Sequence, residues 1–203
     1  MLKKLELLTT PRIEAAEYLN EYLKHYPELI LPHKSDHVRH VYYNYAIKVD
    51  TLKLGVPREI LVRALVAEGI PIICGYVPPI YHEPLFQTKV VFGNKGFPYT
   101  CKTYGDVDRD YPIGLCPNVE KIESHELIYT NLCRAGVTQD DLQQIVNSFD
   151  KVLSNKAQLK NIQESNAFCC GKQRCGRSSR VTGELAKESS IHDMQEILSQ
   201  KII

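Results

Sequence analysis

Apolar positions recur at helical spacing in three parts of the chain and alternate in a fourth. Over residues 11–26, PRIEAAEYLNEYLKHY, the side chains of Ile13, Ala16, Leu19, Tyr22 and Leu23 share one side of a 3.6-residue period. A threonine pair and a proline precede them, which suits a helix start. Pro27 and Pro32 then bracket a short apolar piece, and the polar run 33–40 leads into VYYNYAIKV. The β-branched and aromatic content of that segment predicts a strand from Val41 to Val49. Gly55 ends it, and Pro57 takes the first-turn position that tolerates proline. The following REILVRALVAEG sets Ile60, Leu61, Ala64 and Leu65 on one stripe, with Arg58 and Arg63 read as surface charges. Thr138 opens the clearest helix, in which Leu142, Ile145, Val146, Phe149, Val152 and Leu153 repeat with the helical period. Thr138 and Asp141 have the spacing of a capping box, with Asp in place of the usual Glu.

Between these elements lies EGIPIICGYVPPIYHEPLFQ, residues 68–87. Gly69 stops the preceding helix, because a residue without Cβ adopts the left-handed C-terminal conformation at no steric cost. Ile70, Ile72 and Ile73 predict a short strand. Gly75 and the pair Pro78 and Pro79 then forbid regular structure and stiffen the backbone. From that segment Tyr76, Tyr81, His82 and Glu83 project polar tips. Ligand-contacting residues concentrate on loops held by a rigid scaffold. These four are therefore the candidate binding residues, against the plainer reading of a proline-shaped surface turn. Residues 88–114, punctuated by glycines and prolines, are read as loop, and 117–129, PNVEKIESHELIY, as a short helix opening at a proline.

Composition narrows the class. With 203 residues, 43% of them hydrophobic, the chain is long enough for one domain and an appendage. The 25 basic residues against 24 acidic leave no global charge to attract nucleic acid or a membrane surface. No apolar run reaches spanning length, and the N-terminus has no signal-peptide core, so a cytoplasmic location is expected. Seven cysteines in such a chain are expected to be thiols. Character changes after about Asn155. From Lys151 onward nine Lys and Arg face five Asp and Glu, a net +4 where the first 150 residues carry −3. The chain is thus divided into a body, 1–155, and a basic, flexible extension, 156–203, with a short amphipathic helix over 190–200. Cys169, Cys170 and Cys175 in that extension have no second ligand pair, which argues against zinc. Lys172, Arg174, Arg177 and Arg180 have no aromatic partners, which argues against a nucleic-acid module. His33, His37 and His40 would share a helix face as metal ligands, but Pro32 and the strand after them predict a loop with solvated imidazoles.

The order of these segments resembles the C-terminal, smaller domain of the DegT/StrS-type aminotransferases. The resemblance is carried by Arg12, Ala15 and Ala16 of the opening helix, by HVYYNYAI, by the Arg58 helix and AEGIPIICGYVPPIYHEPLFQ, then by GLCPNVEKI and TQDDLQQIVNSFDKVL; it stops at about Asn155. It implies an α+β small domain of a fold-type-I, pyridoxal-phosphate-dependent homodimer that moves an amino group, usually from glutamate, onto keto-sugar nucleotides for amino-sugar and polysaccharide biosynthesis. By this resemblance Tyr81, His82 and Glu83 lie on a loop facing the substrate side of the cleft, with histidine in many relatives and tyrosine in others at the Tyr81 position. The resemblance also implies a Schiff-base lysine and a carboxylate for the pyridine nitrogen, both in a large domain upstream of every matched segment. None of the sixteen lysines here stands in such a context. Chemistry through that cofactor needs both groups. The chain is accordingly expected to supply substrate contacts but no catalytic or cofactor-binding residue, as a fragment inactive alone. The alternative is a non-catalytic interaction module pairing with a separate cofactor-binding subunit or a full-length relative.

Overall fold

In the computed structural model, residues 2–93, 96–101, 103 and 110–165 are described. Helix α1, Leu5–Leu23, is followed by strand β1, Leu29–Ile30, and strand β2, Tyr45–Val49. A short helix α2, Thr51–Leu54, and α3, Arg58–Ala67, lead to strand β3, Ile73–Cys74. A 3-10 turn, Ile80–His82, and helix α4, Pro84–Thr88, follow. Further along the chain, helix α5, Pro117–Lys121, runs into a π turn, Ile122–Glu126, and strand β4, Leu127–Thr130. Helices α6, Gln139–Ser154, and α7, Lys156–Ser165, complete the described body.

The sheet order is β1-β2-β4-β3, antiparallel throughout. Strand β2 pairs with β4 so that Tyr45 faces Thr130 and Lys48 faces Leu127. Tyr45, Ile47 and Val49 point inward and the residues between them are half-buried, the period-2 pattern of a strand packed on one face. Ile128 is fully buried opposite Ile47. Ala15, Ala16, Leu19 and Leu23 of α1, Leu61 and Leu65 of α3, and Phe149 of α6 belong to the same continuous core as these strand residues. This is the α+β architecture expected, and the helical stripes of α3 and α6 point as their spacing requires.

Helix ends follow local chemistry. Thr138 accepts from the backbone N–H of Asp141, and the Asp141 carboxylate returns the bond to the N–H of Thr138 at 2.9 Å, so the capping box forms with Asp. Gly69, at φ +89, follows the last residues of α3 as expected.

Several boundaries differ from expectation. Helix α1 begins at Leu5 and passes through Pro11, which lacks the N–H for the bond to Leu7. In the turns before Pro11, Leu5, Leu7 and Leu8 are exposed, whereas the buried residues of the helix are Ala15, Ala16, Leu19 and Leu23. Strand β2 starts four residues late. Tyr42 has φ +46, and its N–H bonds His40 Nδ1 at 3.0 Å, which turns the backbone out of extended geometry. Ile70 and Ile72 are buried in a non-strand lead to β3, and Ile70 is tied by its N–H to Leu65 O at 2.9 Å. The apolar piece after Pro27 contains the edge strand β1. The segment expected as one helix over 117–129 is α5, a π turn and the central strand β4.

Arg58 explains that last difference and is itself a correction, because it is 5% exposed rather than on the surface. Its Nη1 donates to Leu127 O at 2.7 Å and to Ile122 O at 3.4 Å, and its Nε pairs with Glu59 at 3.0 Å. A buried guanidinium needs such partners, and here they are the carbonyls at both ends of the π turn. The helix is closed there and the chain turns into β4.

The composition change near Asn155 falls between α6 and α7. Leu159 of α7 is buried in the core, and Lys156 pairs with the buried Glu28. The cysteine-containing part of the extension and the 190–200 helix lie outside the described residues.

Arg58→Ala is expected to lower stability by roughly 2–3 kcal/mol, because the carbonyls of Ile122 and Leu127 lose a charged donor. A urea midpoint within experimental error of the parent protein would show that the guanidinium does not hold the π turn.

Candidate functional site

The loop after β3 is fixed at its start by Gly75. Its N–H donates to Leu127 O at 2.8 Å, and a Cβ on it would stand 2.9 Å from Glu123 Oε1 and 3.0 Å from Glu123 O. With φ +62 as well, the position requires glycine. The loop therefore leaves the sheet pressed against the π turn.

Two segments distant in sequence then meet. The Tyr81 ring is 6% exposed, its hydroxyl donates to Glu120 Oε1, and the same hydroxyl accepts from the N–H of Cys116 at 3.1 Å. Glu120 Oε1 also accepts the N–H of Gly114 at 2.7 Å and lies 3.2 Å from His82 Nε2. Gln87 Nε2 adds a second tie, donating to Tyr81 O at 2.5 Å and Tyr111 O at 2.7 Å. Tyr81 and His82 themselves meet edge to face, with ring centroids 4.6 Å apart.

The four candidate residues thus separate by role. Tyr81 is an internal strut rather than an outward tip, since its hydroxyl is fully engaged. His82 is a quarter exposed, at 27%, with one ring nitrogen on Glu120. Glu83 occupies the N-cap position of α4, where its carbonyl, not its carboxylate, accepts from Phe86 N at 2.9 Å. Tyr76 stands half exposed and packs edge-on against Tyr129 of β4, with centroids 5.2 Å apart. A buried tyrosine and a carboxylate thus hold His82 in place, with Glu83 next to it in the chain and Tyr76 held separately against β4.

Glu120 is the residue that sequence reasoning missed. It lies within GLCPNVEKI, yet nothing in local spacing connects it to Tyr81, 39 positions earlier. Its carboxyl is held below the ordinary carboxylate range, chiefly by the Tyr81 hydroxyl, then by the Gly114 N–H and by His82. The Tyr81 hydroxyl is pushed up by desolvation and by donating to that carboxylate. The remaining candidates do not form sites. His33 and His37 are exposed in a loop, His40 is spent on the Tyr42 N–H, and among the described residues no metal-binding group of side chains is found. Cys74, Cys101, Cys116 and Cys133 are thiols, and burial pushes Cys133 up to about 12, far from reactive. No described helix is long and apolar enough to cross a membrane.

A wider groove of about 890 Å³ lies between the end of α3 and the start of α6, and includes none of the four candidates. Its carboxylates are already committed, Glu68 to Lys151 at 2.9 Å and Asp141 to the capping box. Volume alone therefore does not make it the better site.

Residues 1–109 match the family model described as the DegT/DnrJ/EryC1/StrS aminotransferase family. An uncharacterised protein of Methanocaldococcus jannaschii is 26% identical over 156 residues, 75% of this chain and 34% of its own length. An aminotransferase from Psychrobacter cryohalolentis has a similar structure, with a TM-score of 0.55 at 18% identity over 77% of this chain and 37% of that one. Helicobacter pylori PseC, an aminotransferase involved in the biosynthesis of pseudoaminic acid, gives 0.53 at 20% identity over 76% and 35%. The chain spans roughly a third of the length of each.

Because the Glu120 pKa is depressed on folding, its bonds contribute stability that is complete above the ordinary carboxylate range and is lost as pH falls through the lower folded value. Tyr81→Phe removes the leading cause, so the Glu120 carboxyl, followed by NMR titration, is expected to move up toward the ordinary range. An unchanged titration would contradict the assignment of that hydrogen bond.

Proposed function

The chain belongs to the DegT/DnrJ/EryC1/StrS aminotransferase family, and we propose that it forms the substrate-side wall of an aminotransferase that acts on keto-sugar nucleotides. The observation that carries this reading is the Glu120 tie, which holds Tyr81 and His82 on a proline-braced loop. A loop stiffened before ligand arrives loses little entropy on binding, the property wanted of one side of a substrate cleft. In this reading Tyr76, His82 and Glu83 meet the substrate and Tyr81 supports them. The amino group comes from a donor such as glutamate, and the product enters amino-sugar and polysaccharide synthesis.

Pyridoxal phosphate is the cofactor this family implies, and the carboxylate-paired lysines of the described residues do not fit it. A lysine that forms an aldimine has to lose its proton near neutral pH, which burial or neighbouring cations bring about. Lys48, Lys53, Lys121 and Lys151 instead each pair with a carboxylate at 2.8–3.3 Å, and Lys34 pairs with Glu17. Lys34 and Lys121 are pushed up by those partners, the opposite of the required direction. We therefore place the cofactor and its lysine outside these residues, on the remainder of a longer fold or on a homodimer built from it. The match to about a third of each relative's length supports that placement.

A second reading, a non-catalytic module pairing with a separate cofactor-binding subunit or a full-length relative, is favoured by the surface around the loop. Tyr76, Val77, Ile80, Phe92, Ile113 and Val119 are each about half exposed or more. Large apolar side chains left in water, Tyr76, Val77 and Ile80 of the loop among them, are what an interaction surface or an aggregation liability presents. Light scattering of the purified chain would show a monomer of sharp, reversible unfolding if that surface needs no partner, and self-association or marginal stability if it does.

Both readings predict that this chain mixed with pyridoxal phosphate gives no aldimine absorbance. An absorbance band that borohydride abolishes, and that a lysine substitution removes, would overturn the placement of the cofactor elsewhere.

A further inference from the structure

Glu120 has an asymmetry that a purely structural tie does not require. All three of its protein contacts converge on one oxygen, Oε1: the Tyr81 hydroxyl, the Gly114 N–H at 2.7 Å and His82 Nε2 at 3.2 Å. Oε2 accepts no hydrogen bond from the described residues. The side chain is 21% exposed, and Oε2 is not among the buried atoms that lack a partner. The free oxygen therefore faces solvent beside His82. A carboxylate accepts up to about four hydrogen bonds, so this one is half used and its orientation is already paid for by the other half.

We infer that Glu120 Oε2 accepts a hydrogen bond from a sugar hydroxyl of the ligand, which makes Glu120 a specificity residue of the site. This rests on the reading of the loop as a substrate wall. The ligand chemistry follows from the atom presented. An ionised carboxylate oxygen has no proton to give and selects a donor. A neutral hydroxyl suits it, because Oε2 needs only a donor and the Tyr81, Gly114 and His82 contacts on Oε1 already share the carboxylate charge. The depressed carboxyl of Glu120 agrees with an oxygen that remains an acceptor throughout the neutral range. A site organised around a hydroxyl donor rejects an analogue that lacks it, because the acceptor is then left desolvated and unpaired.

The test compares the full chain and Glu120→Gln by NMR titration with UDP-glucose, its monodeoxy-sugar analogues, UDP and L-glutamate. Glutamine keeps a carbonyl oxygen for Tyr81 and Gly114 and replaces Oε2 with a donor, so retained shifts of those two residues show an intact loop. The expected result is that at least one monodeoxy analogue binds the parent chain roughly tenfold or more weaker than UDP-glucose. That penalty disappears in Glu120→Gln, while UDP binds both proteins alike. Should the variant fail to fold, the analogue series on the parent chain decides alone: equal affinities for all the sugars overturn the inference. A penalty that persists in the folded variant, or an effect of the substitution on glutamate alone, also overturns it and leaves the substrate-wall reading standing. A parent chain that binds UDP-glucose no better than UDP overturns that reading, and this inference with it.

Discussion

The buried Arg58 guanidinium is the contact on which the placement of everything else depends. It rises from the first residue of α3 to the carbonyls of Ile122 and Leu127, and so fixes where α5 and its π turn end and where β4 begins. Strand β4 is central in the sheet, flanked by β2 and β3, so its start sets the register of both neighbours. Gly75 then bonds the same Leu127 carbonyl, and the loop departs against the π turn. One cation thereby connects the sheet register to the geometry of the loop. A π turn is rare and is frequently found at functional sites. Here its position one residue past Lys121 aims Glu120 back at Tyr81 and leaves Glu126 to pair with Lys121 and Lys48.

From that frame the candidate site is a matter of rigidity more than of reactive chemistry. Tyr81, buried and with its hydroxyl donating and accepting, behaves as a core residue with a polar end. In the proposed reading, the residues that meet a ligand are the ones it supports. This is consistent with a domain that orients a substrate while bond making takes place on groups carried elsewhere, and with family relatives of which the chain covers roughly a third.

What was legible in the sequence was what local periodicity encodes. The stripes of α3 and α6, the Thr138 box and the glycine stop at Gly69 each depend on neighbours within a few positions, and each is where the pattern put it. The misreadings share a different cause. LIYT reads as the tail of a helix until it is paired with β2, because the partner that makes it a strand lies about eighty residues away. Arg58 reads as a surface charge until its carbonyl partners, 64 and 69 positions on, come into place. Glu120 carried no signal at all, since its significance is its convergence with Tyr81, His82 and Gly114. The loop could be identified as stiff and polar from its prolines and glycine. Which of its residues face inward could not, because that depends on α5.

In the proposed reading the wall formed by the β3 loop and α5 is where ligand meets this domain, and a map of amide shifts on adding a nucleotide sugar to the isotopically labelled chain measures this. Perturbations confined to the amides of 75–88 and 113–121, with His82 and Glu83 among the largest, are expected. Perturbations that fall instead in the groove of Glu68, Arg134 and Gln144, or none at all at saturating ligand, would contradict it.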